Sequence, residues 1–301
     1  MTYLKQHTIA QSVWCSGVGL HCGLKVALVL KPADTGHGIR FLRTDIPDSP
    51  SICAHYNNVV NTFQATTIGS AGVAVSTIEH LMAALYGCGV DNVLVELSGP
   101  EAPIFDGSAA PYVSLIRKAS IVQQDEARNY LTIRKPLTVA NGDSFIIATP
   151  SDRFQVRYEI DYPHPRVGRQ EYSWALKNGS FGREIAKART FGFLKDVRKL
   201  QKMGLIQGGS LANAVVFDDR ELLNVDGFRY SDECVRHKIL DFIGDLALTG
   251  LPVLGSFEIR KAGHALHSRF LNELMDGKGY AIPTSVLAPP EYFSPGASAL
   301  A

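Results

Sequence analysis

Strand-like runs and amphipathic helical segments follow one another along the chain in an order that occurs twice. In the first half the predicted strands HTIAQSVWC, KVALVL, GIRFLR and NTFQATTIG precede a helix, TIEHLMAALYG, a strand, DNVLVEL, and a helix near APYVSLIRKA. From about Asn129 the order repeats with YLTIRKPLTV, SFIIATP and FQVRYEIDY, then a helix from about Asp232, the strand LGSFEIRK and the helix HALHSRFLNELMDG. One further helix is predicted in FLKDVRKLQKMG, where Gly204 suits a carboxyl-terminal cap.

This repeated order predicts an α+β fold of two similar domains, and not a doubly wound sheet. We expect residues 1–126 to form the first domain and residues 127–276 the second. Residues 277–301 contain several prolines among small residues, which predicts a flexible tail without a role in the core. The glycine-rich stretch SGVGLHCG lacks the G-x-G-x-x-G spacing, so a dinucleotide-binding fingerprint is absent.

A row of ionisable side chains marks the predicted helix that contains VRHKILDFIGD. His237, Asp241 and Asp245 recur every four residues and therefore share one helical face, opposite a wide apolar arc. One interpretation is a solvated face with a weak histidine–aspartate pair. The other is that His237 and Asp241 bind a metal ion.

A second predicted helix carries the adjacent pair Glu79 and His80. A zinc amidase needs about three protein ligands, an open coordination position and a carboxylate near the bound water. His80 could complete the metal set, with Glu79 as the general base. The two helices hold corresponding places in the two halves, so a site between the halves is geometrically natural. The alternative is a capping box, in which Glu79 reaches back to the backbone N–H of Ser76.

Asp245 is a candidate partner for a catalytic histidine. It could charge-stabilise His264, at a glycine-marked junction of a predicted strand and helix, and keep that imidazole protonated. The alternative is that His264 or His267 simply begins the helix.

Three further polar residues have two interpretations each. Thr190 could donate its hydroxyl to a developing oxyanion, or be an ordinary loop threonine. Lys238 could meet a phosphate, or be an exposed lysine. His21 could lie next to the metal, or be a buried, hydrogen-bonded histidine.

Composition narrows the classes of protein. Thirty basic and 29 acidic residues leave a formal net charge of +1, which gives no sign of a nucleic-acid footprint. Five cysteines without a C-x-x-C pair argue against a disulfide framework or a thiolate zinc site. No run of ~18 apolar residues and no apolar signal core are present, so we expect no transmembrane segment and a cytoplasmic location.

Seven sequence motifs, spread over nearly the whole chain, resemble one enzyme family. In order they are GVGLH, STIEHLMAAL, EAPIFDGSA, KARTFGF, QGGSLANAVV, DECVRHKILDFIGDLAL and KAGHALH. Together they resemble the UDP-3-O-acyl-N-acetylglucosamine deacetylases, the zinc amidases of lipid A synthesis. The resemblance runs from about Ile9 to Leu274. Cys22 and Phe105 depart from the residues common in the family, and neither touches the proposed chemistry.

The resemblance implies a fold, a cofactor and a role for each candidate residue. The fold is two α+β domains, each with two helices packed on a β-sheet, with the site between them. The implied zinc ligands are His80, His237 and Asp241. The implied catalytic residues are the general base Glu79, the histidine His264 with Asp245 behind it, and the oxyanion-contacting Thr190. The implied substrate contacts are Phe191 and Lys238 on the sugar and phosphate side, Tyr162 on the uridine side, and an apolar passage for the acyl chain in the second domain.

The expected function is therefore hydrolysis of the N-acetyl group of UDP-3-O-acyl-N-acetylglucosamine, which releases acetate during lipid A (lipopolysaccharide) biosynthesis. Two alternatives stay open at this point. One is a zinc deacetylase of another acetylated nucleotide sugar, and the other is a non-catalytic, zinc-stabilised binding protein. We expect a monomer whose partner is the UDP-linked acylated sugar, and no nucleic-acid partner.

Overall fold

The computed structural model describes residues 5–285, which contain both predicted repeats. The helices are α1 (Glu79–Cys88), α2 (Ala110–Ala119), α3 (Leu194–Lys202), α4 (Glu233–Leu246) and α5 (His264–Met275). The strands of the first half are β1 (Lys5–Ile9), β2 (Val13–Val18), β3 (Lys25–Pro32), β4 (Ile39–Arg43), β5 (Ile52–Cys53), β6 (Val59–Asn61), β7 (Thr67–Ser70), β8 (Val73–Val75), β9 (Val93–Leu97) and β10 (Ile121–Ala127). The strands of the second half are β11 (Asn129–Ile133), β12 (Leu137–Asn141), β13 (Ser144–Thr149), β14 (Phe154–Tyr162), β15 (Gly168–Ala175), β16 (Phe191–Phe193), β17 (Val215–Phe217), β18 (Val253–Arg260) and β19 (Ala281–Ser285).

The first half is built on a five-stranded sheet in the order β2-β3-β9-β4-β5. Strand β9 pairs parallel with β4 and antiparallel with β3, so the chain after α1 returns to the middle of the sheet. In β3, Val26, Leu28 and Leu30 are buried and alternate with more exposed residues. That alternation is typical of a sheet with one face on the core. The predicted strand HTIAQSVWC divides into β1 and β2.

The second half is built on a seven-stranded sheet around β18, which pairs with β11, β13 and β14. The order helix, strand, helix occurs as α1-β9-α2 in the first half and as α4-β18-α5 in the second. The predicted α+β fold class is confirmed. The third helix, α3, follows β16 and lies outside this repeat, as the sequence pattern predicts.

The prediction of a flexible tail from residue 277 is wrong for residues 281–285. Residues 281–285 form β19, which pairs antiparallel with β11 and brings Pro283 opposite Leu131. A proline is tolerated there because β19 is an edge strand, where the missing N–H leaves no internal ladder bond unmade. The other tail prolines lie outside the described residues.

Helices α1 and α4 pack closely against each other in the interior of the molecule. The first eight residues of α1 are buried, and so are twelve of the fourteen residues of α4. A Cβ atom added to Gly244 would lie 2.0 Å from the backbone oxygen of Glu79. Because that distance is far below any van der Waals contact, only glycine permits this approach of the two helices.

The polar row of α4 faces this crossing and not the solvent. His237, Asp241 and Asp245 have relative exposures of 2%, 3% and 2%. The interpretation of a solvated face is therefore wrong. Within residues 5–285, no helix combines the length and the apolar character needed to cross a membrane.

Gly244→Ala tests the helix crossing. The added methyl group must displace the backbone of α1, so we expect the free energy of unfolding to fall by about 1–3 kcal/mol, as for an overpacked core. The activity expected from the sequence should fall as well, because α1 and α4 both carry candidate site residues. Thermal unfolding and an activity assay on one preparation would measure both.

Gly263→Ala is the matched control for stability, since a Cβ at Gly263 meets no atom within 4 Å and its φ is −149°. Equal melting temperatures for the two variants would contradict the close-approach argument.

Candidate functional site

A cavity of about 860 Å³ lies where the two halves meet. His21, Glu79 and His80 line it from the first half, and Thr190, His237 and His264 are among the residues that line it from the second. Ligand pockets range over roughly 300–1,000 Å³, so this cavity can hold a molecule larger than a simple sugar.

Three candidate metal ligands from both halves converge in this cavity. Asp241 Oδ1 lies 3.3 Å from His237 Nε2 and 3.8 Å from His80 Nε2. Zinc–ligand bonds of about 2.0–2.1 Å at tetrahedral angles place neighbouring ligand atoms about 3.3 Å apart. All the ligand atoms lie within 4.8 Å of one another, so the spacing and the His₂Asp donor set suit a divalent metal with an open coordination position.

The surroundings of the two histidines aim their Nε2 atoms at this point. His237 Nδ1 lies 3.1 Å from the carbonyl oxygen of Ala188, and donation of that N–H fixes the ring and leaves Nε2 free to bind. Burial lowers the pKa of His237, and burial together with His237 lowers the pKa of His80 to about 3. Both rings are therefore neutral at ordinary pH, as metal ligands must be.

Glu79 projects into the cavity and does not form the capping box. Its Oε2 accepts a hydrogen bond of 3.0 Å from the backbone N–H of Thr66, while the N–H of Ser76 donates to the carbonyl oxygen of Pro100. The capping-box interpretation is therefore wrong. Burial raises the pKa of Glu79 to about 7. A carboxyl group with that pKa can exchange a proton near neutral pH.

His264 and Asp245 form a hydrogen-bonded pair beside the candidate metal ligands. His264 Nδ1 lies 2.7 Å from Asp245 Oδ2. Burial opposes the charged imidazole, but Asp245 outweighs it and raises the pKa of His264 to about 9. His264 is also the first residue of α5, so its structural and chemical interpretations coexist in one side chain.

Thr190 is held in the cavity wall through its backbone. Its N–H donates to Gly107 O at 2.7 Å, and its carbonyl oxygen accepts from the N–H of Val215 at 2.8 Å. A Cβ on Gly107 would lie 2.1 Å from the backbone oxygen of Asn213, so glycine is required for this contact between the halves. The preceding Arg189 is buried and donates from Nε to Glu233 at 2.8 Å. The short segment that carries Thr190 is thus tied to both halves.

Lys238 is not the exposed lysine of the alternative interpretation. Its side chain is 15% exposed, and its Nζ bonds to Asp241 Oδ2. Although burial opposes its charge, Asp241 raises the pKa of Lys238 above its ordinary value. Lys238 lines the cavity with Phe191 and Tyr162, whose rings meet edge to face with centroids 5.5 Å apart.

Part of the cavity lining is apolar and comes from α3, β17 and the chain near them, and we call this part the apolar branch. Helix α3 turns its basic residues Lys195, Arg198 and Lys199 outward. Its apolar residues and those of the following chain line the branch, which includes Val197, Leu200, Ile206, Leu211, Val216 and Leu223.

Sequence reasoning missed Thr66 and left His267 without a chemical role. Thr66 donates from Oγ1 to Asp245 Oδ1 at 2.5 Å, and His267 Nδ1 lies 2.7 Å from Asp245 Oδ2. Thr66 follows no motif spacing, so nothing in the sequence marks it. His267 could have been found from its spacing three residues after His264. His21 lines the cavity, and among the described residues its ring nitrogens meet no hydrogen-bond partner, contrary to the buried, hydrogen-bonded alternative.

Comparison with known proteins identifies relatives along almost the whole chain. A relative from Myxococcus xanthus (strain DK1622) is 49% identical over 270 residues, which is 90% of this chain and 86% of the relative. Relatives from Citrifermentans bemidjiense and Acidithiobacillus ferrooxidans are 47% and 46% identical, cover 90% of this chain, and match over 88% and 90% of their own lengths. All three are named UDP-3-O-acyl-N-acetylglucosamine deacetylase. The family model described as UDP-3-O-acyl N-acetylglycosamine deacetylase (LpxC) matches residues 6–276, and the chain belongs to that family.

Proposed function

We propose that this protein hydrolyses the N-acetyl group of UDP-3-O-acyl-N-acetylglucosamine in lipid A biosynthesis. The observation that carries the proposal is the meeting of a His₂Asp metal set, a carboxyl group with a raised pKa and an aspartate-linked histidine in one cavity. The family to which the chain belongs indicates which substrate to propose. The products are acetate and UDP-3-O-acyl-glucosamine.

His80, His237 and Asp241 are the proposed ligands of a zinc ion. When bound, zinc supplies a Lewis acid for the amide carbonyl and lowers the pKa of its water to about 7. A structural zinc site would call for four protein ligands, and the group of His80, His237 and Asp241 offers three. That number favours a catalytic site over the zinc-stabilised binding protein.

Glu79 and His264 divide the proton transfers in this proposal. Glu79 uses the carboxyl oxygen that Thr66 leaves free to take a proton from the attacking water, whose oxygen bonds to the carbonyl carbon. His264 enters as an imidazolium with Nδ1 held by Asp245, so Nε2 carries the proton for the leaving amine when the C–N bond breaks. The Thr190 hydroxyl contributes a hydrogen bond to the developing oxyanion.

The rest of the cavity is chemically complementary to an acylated nucleotide sugar. We propose that Lys238 meets a phosphate, that Phe191 packs on the sugar side, and that Tyr162 contacts the uridine side. The apolar branch beside α3 suits the acyl chain, because burial of a hydrocarbon chain is favourable by about 0.8 kcal/mol for each CH₂ group. A deacetylase of a nucleotide sugar without an acyl chain would leave that branch unused.

The same proposal covers the domain organisation of the protein and the compartment in which it acts. The sheets of the two halves support domains at residues 1–126 and 127–276, with β19 added to the second. The five cysteines carry free thiols, which fits a reducing compartment such as the cytoplasm. We propose that the protein acts there as a monomer, since both halves of one chain supply the site.

Measurement of acetate release from UDP-3-O-acyl-N-acetylglucosamine tests the function directly. We expect turnover of this substrate, much weaker turnover of UDP-N-acetylglucosamine without an acyl chain, and a kcat lower by about 10²- to 10⁴-fold in Glu79→Gln. Glutamine keeps an oxygen that can accept from Thr66, so melting temperature and zinc content should stay near wild type. A Glu79→Gln variant with more than about a tenth of the wild-type kcat would remove Glu79 as the base.

Metal analysis tests the ligand set. The purified protein should carry about one zinc per chain, and the double variant His237→Ala/Asp241→Ala should lose it, because too few ligands remain. Asp245→Asn, one turn further along α4, is the matched control and should keep its zinc. Full metal content in the double variant would place the zinc elsewhere.

The pH profile tests His264. Activity should fall on the acid side as Glu79 becomes protonated, and on the alkaline side as His264 loses its proton near its pKa of about 9. His264→Gln should remove the alkaline limb and lower kcat by roughly 10²-fold or more. An unchanged profile in His264→Gln would exclude His264 from proton transfer.

A further inference from the structure

His267 shares the carboxylate that holds the proposed catalytic histidine. It lies one turn after His264 on α5 and is 1% exposed. Its Nδ1 lies 2.7 Å from Asp245 Oδ2, and His264 Nδ1 lies 2.7 Å from the same oxygen. One carboxylate oxygen therefore accepts hydrogen bonds from both imidazoles.

The hydrogen bonds around His267 fix which of its nitrogens carries the proton. An ionised carboxylate only accepts, so Nδ1 must donate to Asp245. On the other side of the ring, Nε2 lies 3.4 Å from the hydroxyl of Tyr158, which donates at 2.8 Å to the carbonyl oxygen of Ala262. Tyr158 has one proton and uses it on the shorter bond. The well-formed contact of His267 is thus the one with Asp245.

We propose that His267 is a positioning residue that fixes the Asp245 carboxylate and sets how firmly it holds the proton of His264. Asp245 Oδ1 is already fixed by the hydroxyl of Thr66 at 2.5 Å. The N–H of His267 adds a second donor on the oxygen that His264 uses. This inference rests on the role proposed above for His264.

The direction of the effect follows from electrostatics. A donor on Oδ2 draws electron density from the carboxylate and places a positive dipole near His264. Both effects weaken the hold of Asp245 on the imidazolium proton, so that His264 is a stronger acid than Asp245 alone would make it. Burial lowers the pKa of His267, which keeps it neutral, and His264 carries the charge.

Other groups around the two rings would be the same in any variant of His267. Charged, titratable and hydroxyl groups of the first half, α4, α5 and β14 act on His264 or His267. They are His21, Thr66, Glu79, His80, Lys238, Asp241, Asp245 and Tyr158.

Two amide substitutions separate the two sides of the ring. In His267→Asn the amide nitrogen can occupy the place of Nδ1 and donate to Asp245. In His267→Gln the longer side chain brings the amide to the place of Nε2, toward Tyr158. We expect His267→Asn to keep kcat and the alkaline limb near wild type. His267→Gln should lower kcat by about tenfold to hundredfold, as for a lost hydrogen bond to a charged group. Its alkaline limb should move upward, and its KM should change little.

The controls keep the proposal falsifiable if one variant folds poorly. Tyr158→Phe removes only the far contact and should leave the alkaline limb in place, and melting temperatures should accompany every profile. The proposal is overturned if His267→Asn moves the limb, if Tyr158→Phe moves it, or if folded His267→Gln matches wild type. Failure of the His264 role is recognised separately, because His264→Gln would then retain the alkaline limb.

Discussion

The site depends on the contact between the backbone of Gly244 on α4 and the carbonyl oxygen of Glu79 on α1. No residue with a Cβ can occupy position 244 at this distance, so the two helices meet main chain to main chain. Glu79 and His80 begin one helix, and Asp241 lies one turn before the glycine on the other. The approach of the axes therefore sets the 3.8 Å between His80 Nε2 and Asp241 Oδ1. If the two helices were farther apart, the ionisable row of α4 would be buried with His80 too distant to share a metal ion with it.

Burial of that row is possible because each aspartate has at least one hydrogen-bond donor beside it. An unpaired ionised carboxylate in the interior is prohibitively costly, whereas a paired and hydrogen-bonded one is not. Asp241 bonds to the ammonium group of Lys238 and lies near His237 Nε2 and His80 Nε2, and Asp245 bonds to Thr66, His264 and His267. Although burial opposes ionisation, these partners hold the pKa of both carboxyls well below the usual range. As a result, α4 carries two buried groups of ionisable side chains on successive turns, one around Asp241 and one around Asp245.

The local sequence pattern predicts much of the structure of this protein. Contacts between residues that are distant in sequence explain the features that the pattern fails to predict. Periodicity alone indicates the five helices and the repeated order, and the spacing of four residues identifies His237 and Asp241. The capping box fails because the backbone of Thr66, thirteen residues earlier, occupies the carboxylate of Glu79. Residues 281–285 form a strand because β11 offers a free edge, which no local composition reveals. The burial of Lys238 likewise depends on the cavity wall around it and on its bond to Asp241, which the sequence pattern does not show.

The division of the site between the two halves has a consequence for its chemistry. The first half supplies Glu79 and the candidate metal ligand His80, while α4 supplies the other two candidate ligands and Asp245, and α5 supplies His264. Even Thr190, from the second half, is aligned by a hydrogen bond to Gly107 in the first. Neither half therefore holds the complete set of proposed groups, so the catalysis proposed above depends on the packing between them. A change that loosens this interface should reduce activity before it unfolds either sheet, since proton transfer and ligand geometry tolerate smaller displacements than a hydrophobic core does.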